Sequence, residues 1–297
     1  MSRAEEHDLE QLIQTLEQTG DYRIFRRYQK PDSYHYASKD IPRLAAFIDV
    51  ETTGLDWQKD KIIEFAAAIF EFDPKGRIYR IVGEYQAFED PKRPLSQDII
   101  ELTGISDDML EGQRFDESEL LASFDGVALI IAHNAGFDRR FVEKRFPQLA
   151  DKAWACSIND VDWRAEGLSS AKLELLAYHY KFFFNGHRAL DDCLASVHIL
   201  AQDLPASEGL VLKKLLANAR KTTIKIEAKN APFESKDVLK ARGYRWNGNK
   251  KTWWTNIPED AHAAEMNFLS ESVYHYPVNF SGKKLSAYER YSVREET

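Results

Sequence analysis

Along the first third of the chain, apolar residues gather in runs short enough for strands. Residues 44–51 (LAAFIDVE) read as a buried strand, and 61–72 and 77–88 as two more, the latter pair separated by the turn sequence Asp73-Pro-Lys-Gly76. Three consecutive strands with short links predict an antiparallel meander. Beyond it the period changes. Helical patterns near 96–102, 116–123, 137–146, 169–180 and 190–202 alternate with strand patterns at 127–132 and 153–157. That order predicts an α/β fold, a mixed sheet flanked by helices. Ahead of it, Leu9, Leu12, Ile13 and Leu16 lie at helical spacing with Gly20 as a stop. A Tyr- and Arg-rich arm, 21–43, follows, whose aromatic residues suit packing over the next domain better than contact with nucleic acid.

The pattern breaks at Leu204-Pro-Ala-Ser-Glu-Gly209. A strand at 222–228, a helix capped by Ser235, a hairpin about Asn247-Gly-Asn-Lys250 and a last helix opened by Pro258 then predict a second, small α+β domain. The expected division is a helix and arm (1–43), a main domain (44–205), a linker (206–221), a small domain (222–276) and a tail (277–297).

Charge sharpens this division. The 297 residues carry a net charge of −8, which by itself disfavours a polyanionic partner. Residues 1–210, however, hold 24 Lys+Arg against 38 Asp+Glu, and 211–297 hold 16 against 10. An acidic part and a basic part are therefore joined. Two cysteines without metal-ligand spacing, no signal-like N-terminus and no long apolar window predict a cytoplasmic protein with no membrane segment.

Three segments carry candidate chemistry. In FIDVETTGL, Asp49 and Glu51 stand at i and i+2 of a strand and so share a face. Two carboxylates at the end of a buried strand repel each other unless a cation binds them, and hard oxygen ligands favour Mg²⁺ or Mn²⁺. A strand end with two solvated acids is the plainer alternative. Thr52-Thr53-Gly54 follows, a turn that would let backbone N–H groups and a hydroxyl approach a phosphate. In Ala132-His-Asn-Ala-Gly-Phe-Asp138 the acid enters the first turn of a helix, where it would serve the helix dipole or the same metal site. In Gly186-His-Arg-Ala-Leu-Asp-Asp192 a loop histidine precedes two acids. Four carboxylates and a histidine near the ends of different elements of one sheet can converge on two divalent cations, an arrangement that stabilises both oxygens of a phosphodiester displacement. A histidine titrating near neutrality suits deprotonation of water.

The ordered set FIDVETTGL, IAHNAGFD and HRALDD resembles the DnaQ-like 3′-to-5′ exonucleases of the DEDD superfamily, in the branch with His-x4-Asp. The resemblance covers about 44–203, including Leu102-Thr-Gly-Ile105, and implies a ribonuclease-H-like fold. It further implies that Asp49, Glu51, Asp138 and Asp192 hold two Mg²⁺ or Mn²⁺ ions and that His187 is the general base. Thr52, Thr53, Leu55, Asn134 and Phe137 would line the pocket of the terminal nucleotide, although Leu55 and Phe137 also fit plain packing. The implied activity is release of nucleoside 5′-monophosphates from 3′ ends, of single-stranded DNA first, with a polymerase or repair complex as a further partner. RNA 3′-end trimming, or a nucleic-acid-binding subunit, are the competing readings. The basic part resembles the C-terminal domain of some exonuclease-X-like proteins. There 12 Lys+Arg against 3 Asp+Glu over 213–251, interleaved with aromatics, nominate Arg245, Trp246, Lys250, Lys251 and Trp253 as nucleic-acid contacts, with one of Trp253 and Trp254 expected to be buried and the other presented.

Overall fold

The structure, a computed structural model, describes residues 3–37, 40–248 and 250–295. In chain order the N-terminal part contains α1 (Arg3–Gln18) and β1 (Arg26–Arg27), then the meander β2 (Arg43–Thr52), β3 (Ile62–Phe72) and β4 (Ile78–Phe88). Next come α2 (Gln97–Thr103), α3 (Asp107–Leu110), α4 (Glu117–Ser123), β5 (Val127–Ala132), α5 (Ala135–Arg145), β6 (Ala153–Cys156), α6 (Leu173–His179), β7 (Phe182–Phe183), α7 (Ala189–Leu200) and α8 (Val211–Ala219). The C-terminal part contains β8 (Thr223–Ala228), α9 (Lys236–Ala241), β9 (Arg245–Asn247), β10 (Thr252–Pro258), α10 (His262–Leu269) and β11 (Lys283–Leu285).

Five strands form the main sheet in the order β4-β3-β2-β5-β6. The meander is antiparallel, and β5 and β6 add to it in parallel, giving the expected mixed sheet. Period 2 along β2 sends Ala45 and Phe47 to one face, under α7 and α8, and Ala46, Ile48 and Val50 to the other, against Phe141 and Val142 of α5. Helices thus cover both faces, and each face has its own apolar core. The small residues Ala66 and Ala68 of β3 sit fully buried beneath α7, whose Cys193 thiol lies 3.6 Å from the Ala66 carbonyl. Larger side chains there would lift the helix.

Three segments differ from the sequence expectation. Residues expected as a linker include α8, whose Val211, Leu212 and Leu215 are fully buried in the main core. Its approach explains Gly76: a Cβ there would lie 2.4 Å from the Lys213 backbone nitrogen, and its φ of 81° is left-handed. The segment expected as a tail returns as β11 and then crosses to the main domain. The helix expected over 169–180 is shorter, starting at Leu173. In the arm, β1 pairs in parallel with β7, and Tyr28 and Tyr34 pack against the main core.

The small domain is a four-stranded sheet in the order β11-β8-β10-β9. One face, carrying Ile224, Ile226, Ala228, Trp253 and Ile257, packs on Leu239 of α9 and Met266 and Leu269 of α10. Ser235 does not cap α9; its hydroxyl donates to the Val273 carbonyl instead. Within the expected hairpin turn Asn249 lies outside the described residues. No helix among the described residues is long and apolar enough to cross a membrane, and Cys156 and Cys193 are free and buried.

Candidate active site

Asp49 continues the Ala45–Phe47 face of β2, so it and Glu51 point toward α7. The close seat of α7 on the small residues of β3 then brings Asp192, in its first turn, to the same place. One carboxylate oxygen from each of Asp49, Glu51 and Asp192 lies within 4.8 Å of the others. Asp138, in the first turn of α5, comes from the adjoining parallel strand's crossover and is only 2% exposed. The four acids of the three motifs are thereby gathered across one end of the sheet.

Such crowding is unfavourable for bare carboxylates. Burial raises Asp49 to about 7, with the Glu64 charge adding to it. Burial and then the charges of Asp49 and Glu64 raise Glu51 to about 8, against the opposing pull of Arg188. Asp192 rises to about 9 through burial and the charges of Asp49 and Glu51, although the Arg188 backbone N–H donates to it at 3.1 Å. Asp138 is pushed well above the carboxylate range by burial and by Asp49, and its Oδ2 is buried without a hydrogen-bond partner. An orphaned acidic oxygen beside three clustered carboxylates fits a cation, since the donors gathered there are hard, negatively charged oxygens. The acidic set therefore suits divalent metal.

His187 lies in the loop before α7, about half exposed and at a φ of 63°. Gly186 keeps the loop close to Glu174, whose Oε1 is 3.8 Å from His187 Nε2. The imidazole faces a cavity of about 450 Å³ shared with Asp49, His133 and Asp192. His133 is fixed as a neutral tautomer: its Nε2–H donates to the Ala171 carbonyl at 2.8 Å, so Nδ1 accepts from the Ser157 hydroxyl at 2.7 Å. Burial lowers it to about 4, so it stays uncharged at neutral pH.

In the turn after β2 the Thr52 hydroxyl is buried and donates to the Gly54 carbonyl, and Thr53 Oγ1 donates to Asp60 at 3.1 Å, so both hydroxyls brace the loop. Gly54 makes room for Asp60, whose carboxylate would stand 2.6 Å from a Cβ there. Burial pushes Asp60 up, but bonds from the Asp56 N–H, Arg93 and Thr53 outweigh it and hold Asp60 below the usual range. The braced loop presents Leu55, 86% exposed, beside Asn134 and Phe137 in a second cavity. Asn134 caps α5 at a φ of 77°, and Phe137 packs on Phe141 with the rings tilted, 4.9 Å between centroids.

In the small domain the structure separates the nominated contacts. Arg245 and Trp246 line the second cavity. Trp253 does not; it packs into the small domain's core and against Trp246, and Trp254 is the tryptophan that faces the cavity. Neighbouring strand positions must point to opposite faces. Lys250 lies elsewhere, 3.9 Å from Glu227 in a third cavity with Lys225 and Lys283, and Lys251 is exposed outside all three.

Sequence reasoning missed Glu64. It is fully buried, paired in register with Glu51, and accepts from Gln86 and, at 3.5 Å, from the Ala189 N–H. Its signal was a single acid in the otherwise apolar Ile62-Ile-Glu-Phe65, but only the β2–β3 register places it beside the site.

A family model described as exonuclease, RNase_T, matches residues 46–200. The chain is 36% identical over 175 residues to a DNA polymerase III PolC-type protein of Halalkalibacterium halodurans, and 32% identical over 184 residues to one of Thermotoga maritima. These alignments cover 56% and 57% of this chain, which spans only 12% of either relative's length. Among solved structures, Exonuclease X in complex with 5′ overhanging duplex DNA aligns with 70% of this chain and 96% of its own, at 21% identity and a TM-score of 0.40. Escherichia coli Exonuclease I with a dA16 oligonucleotide aligns with 63% of this chain and 48% of its own, at 18% identity and a TM-score of 0.45. Because the family model spans more than half of the chain and takes in all three acidic motifs, the chain belongs to the RNase_T exonuclease family.

Proposed function

We propose that the chain is a metal-dependent 3′-to-5′ exonuclease that releases nucleoside 5′-monophosphates from single-stranded DNA ends. The observation that carries this reading is the convergence of Asp49, Glu51 and Asp192 within 4.8 Å, with buried Asp138 and loop His187 at the same end of the sheet. Asp49, Glu51, Asp138 and Asp192 would hold two Mg²⁺ or Mn²⁺ ions, which when bound stabilise charge on the attacking and leaving oxygens. His187 takes the proton from water at Nε2. Its loop position, open to solvent on one side, lets the ring approach the phosphate and then shed the proton. His133, held neutral, shapes the pocket wall without competing for that proton. Leu55 and Phe137 wedge the terminal nucleotide and Asn134 positions it, all three sharing one cavity. The relatives' name, DNA polymerase III PolC-type, supports DNA as the substrate, and the proposal extends to a role beside a polymerase or repair complex in the cytoplasm.

The test is digestion of 5′-labelled single-stranded DNA, duplex DNA and RNA with Mg²⁺ or Mn²⁺. The expected result is a ladder shortening from the 3′ end of DNA, abolished by chelation or by Asp49→Ala. His187→Ala should lower kcat by about 10²–10⁴-fold while calorimetric metal binding persists. Activity that survives Asp49→Ala would overturn the mechanism, and faster shortening of RNA would move the substrate.

A further inference from the structure

The larger cavity, about 920 Å³, lies between the two domains. One wall belongs to the main domain, with Leu55, Asn134, Phe137 and Arg140; the other is the outer face of the small sheet, with Arg245 and Trp254, and Trp246 at its rim. At one end it adjoins the carboxylate pocket: Asn134 follows His133 of that pocket, Asn159 follows Ile158, and Phe137 precedes Asp138. Neighbouring residues of the segments after β5 and β6 thus line the two cavities, which sets the cleft beside the carboxylate pocket.

Its lining suits a polyanion with flat bases. Four cations reach it, Arg140, Lys221, Arg245 and Arg290, against two acids. Asp160 and Arg290 pair with each other at 3.1 Å and cancel, and Asp56 pairs with Lys59 at 3.0 Å, so Arg140, Lys221 and Arg245 set the sign. The balance that an incoming strand meets is positive. Trp246, the cross-strand partner of Trp253, is 52% exposed, packs on it at 5.4 Å between ring centroids, and contributes to the cleft's lining from the edge of the sheet. Rigid aromatic faces stack on bases at little entropic cost, and clustered Arg and Lys take phosphates.

We propose that this cleft is the track for the substrate strand, taking the single-stranded stretch just 5′ of the terminal nucleotide, with phosphates against Lys221 and Arg245 and a base on Trp246. The proposal rests on the exonuclease reading for its direction. The small domain thereby selects strands long enough to leave the carboxylate pocket and cross the cleft. A substrate of one nucleotide does not reach Trp246; an oligonucleotide does.

The test uses the full chain in two arms. In chelator, with hydrolysis suppressed, fluorescence anisotropy follows binding of a labelled oligo(dT) of about fifteen nucleotides at several salt concentrations. Trp246→Ala should weaken binding by about 5–100-fold. Lys221→Glu and Arg245→Glu should each weaken it and flatten the plot of log affinity against log salt by about 0.7 per lost phosphate contact. In the second arm, with Mg²⁺, kcat/KM is compared for the oligonucleotide and for the p-nitrophenyl ester of thymidine 5′-monophosphate. The ratio in favour of the oligonucleotide should fall in all three variants. Unchanged affinity and salt slope in Lys221→Glu and Arg245→Glu, or equal loss on both substrates, would overturn the track. If wild-type protein cleaves neither substrate, the exonuclease reading fails, and the binding arm still decides the cleft.

Discussion

At the scale of the residue, the most consequential side chain is one that touches no substrate. Glu64 faces Glu51 across the β2–β3 pair and adds its charge to Asp49 and Glu51, while Arg188 stands 3.7 Å away on the other side. A buried acid behind two clustered carboxylates deepens the negative potential that a cation would meet there. Glu64→Gln keeps the shape and can still accept from Gln86, but removes that charge. It should weaken divalent-ion binding by about 10–100-fold, the range seen when groups behind metal ligands are changed. Metal-free thermal stability should hold or rise, since a source of repulsion is gone. Calorimetric titration with Mn²⁺ checks this, and an unchanged affinity would reduce Glu64 to a hydrogen-bond acceptor for Gln86.

Among the elements, turn chemistry was the most legible part of the sequence, and Asp73-Pro-Lys-Gly76 shows why it matters. Asp73 is fully buried and accepts from the N–H groups of Lys75 and Arg77, from the Arg77 guanidinium and from the Tyr79 hydroxyl. Burial pushes its carboxyl up, but those bonds outweigh it and hold it below the usual carboxylate range. A carboxyl lowered in the folded state stabilises fully above its unfolded value near pH 3.9, and the contribution is lost as pH falls through the lower folded value. Asp73→Asn should therefore cost about 1.5–3 kcal/mol at neutral pH, as for hydrogen bonds to a charged group, with the gap to wild type closing below about pH 4. Denaturant unfolding at pH 7 and pH 3 measures it; a gap that persists in acid would reject the assignment. The strands and the three acidic motifs were legible for a similar reason, since period 2 and residue type are local properties. What was not legible depends on distant partners. The apolar face of α8 reads as a linker until the sheet that buries it is known, and the bracing of Thr53 by Asp60, seven residues on, shows only once the loop closes. Trp253 and Trp254 were expected to divide between core and surface; which faced the cleft required the register of β9 with β10.

For the whole molecule, the net charge averages an acidic domain that gathers cations and a basic one that faces the cleft, so the domains' relative placement becomes the property to explain. A single C-terminal segment fixes much of it. β11 joins the small sheet through β8, and the chain then runs onto the main domain, where the Trp154 N–H donates to the Ala287 carbonyl and Arg139 donates to those of Tyr288 and Arg290. Arg290 is the central clamp, 4% exposed, paired with Asp160 at 3.1 Å and donating to the Ala219 carbonyl at the end of α8. Arg139, which neighbours Asp138 in sequence, ties the same segment to α5. Arg290→Met would leave Asp160 buried without its cation, a change that costs about 3–5 kcal/mol in comparable sites. Asp160 keeps bonds from the Cys156 N–H and, at 3.3 Å, from the Tyr291 hydroxyl, which argues for the lower end. The expected outcome is a fall in Tm of several degrees together with faster amide exchange at Trp154, because the carbonyl it uses belongs to the released segment. Adding Asp160→Asn to Arg290→Met should recover part of the loss by removing the stranded charge. Unaltered exchange at Trp154 in Arg290→Met would mean that the segment stays seated without its clamp, and the placement of the two domains would then have to rest on Arg139 and β11.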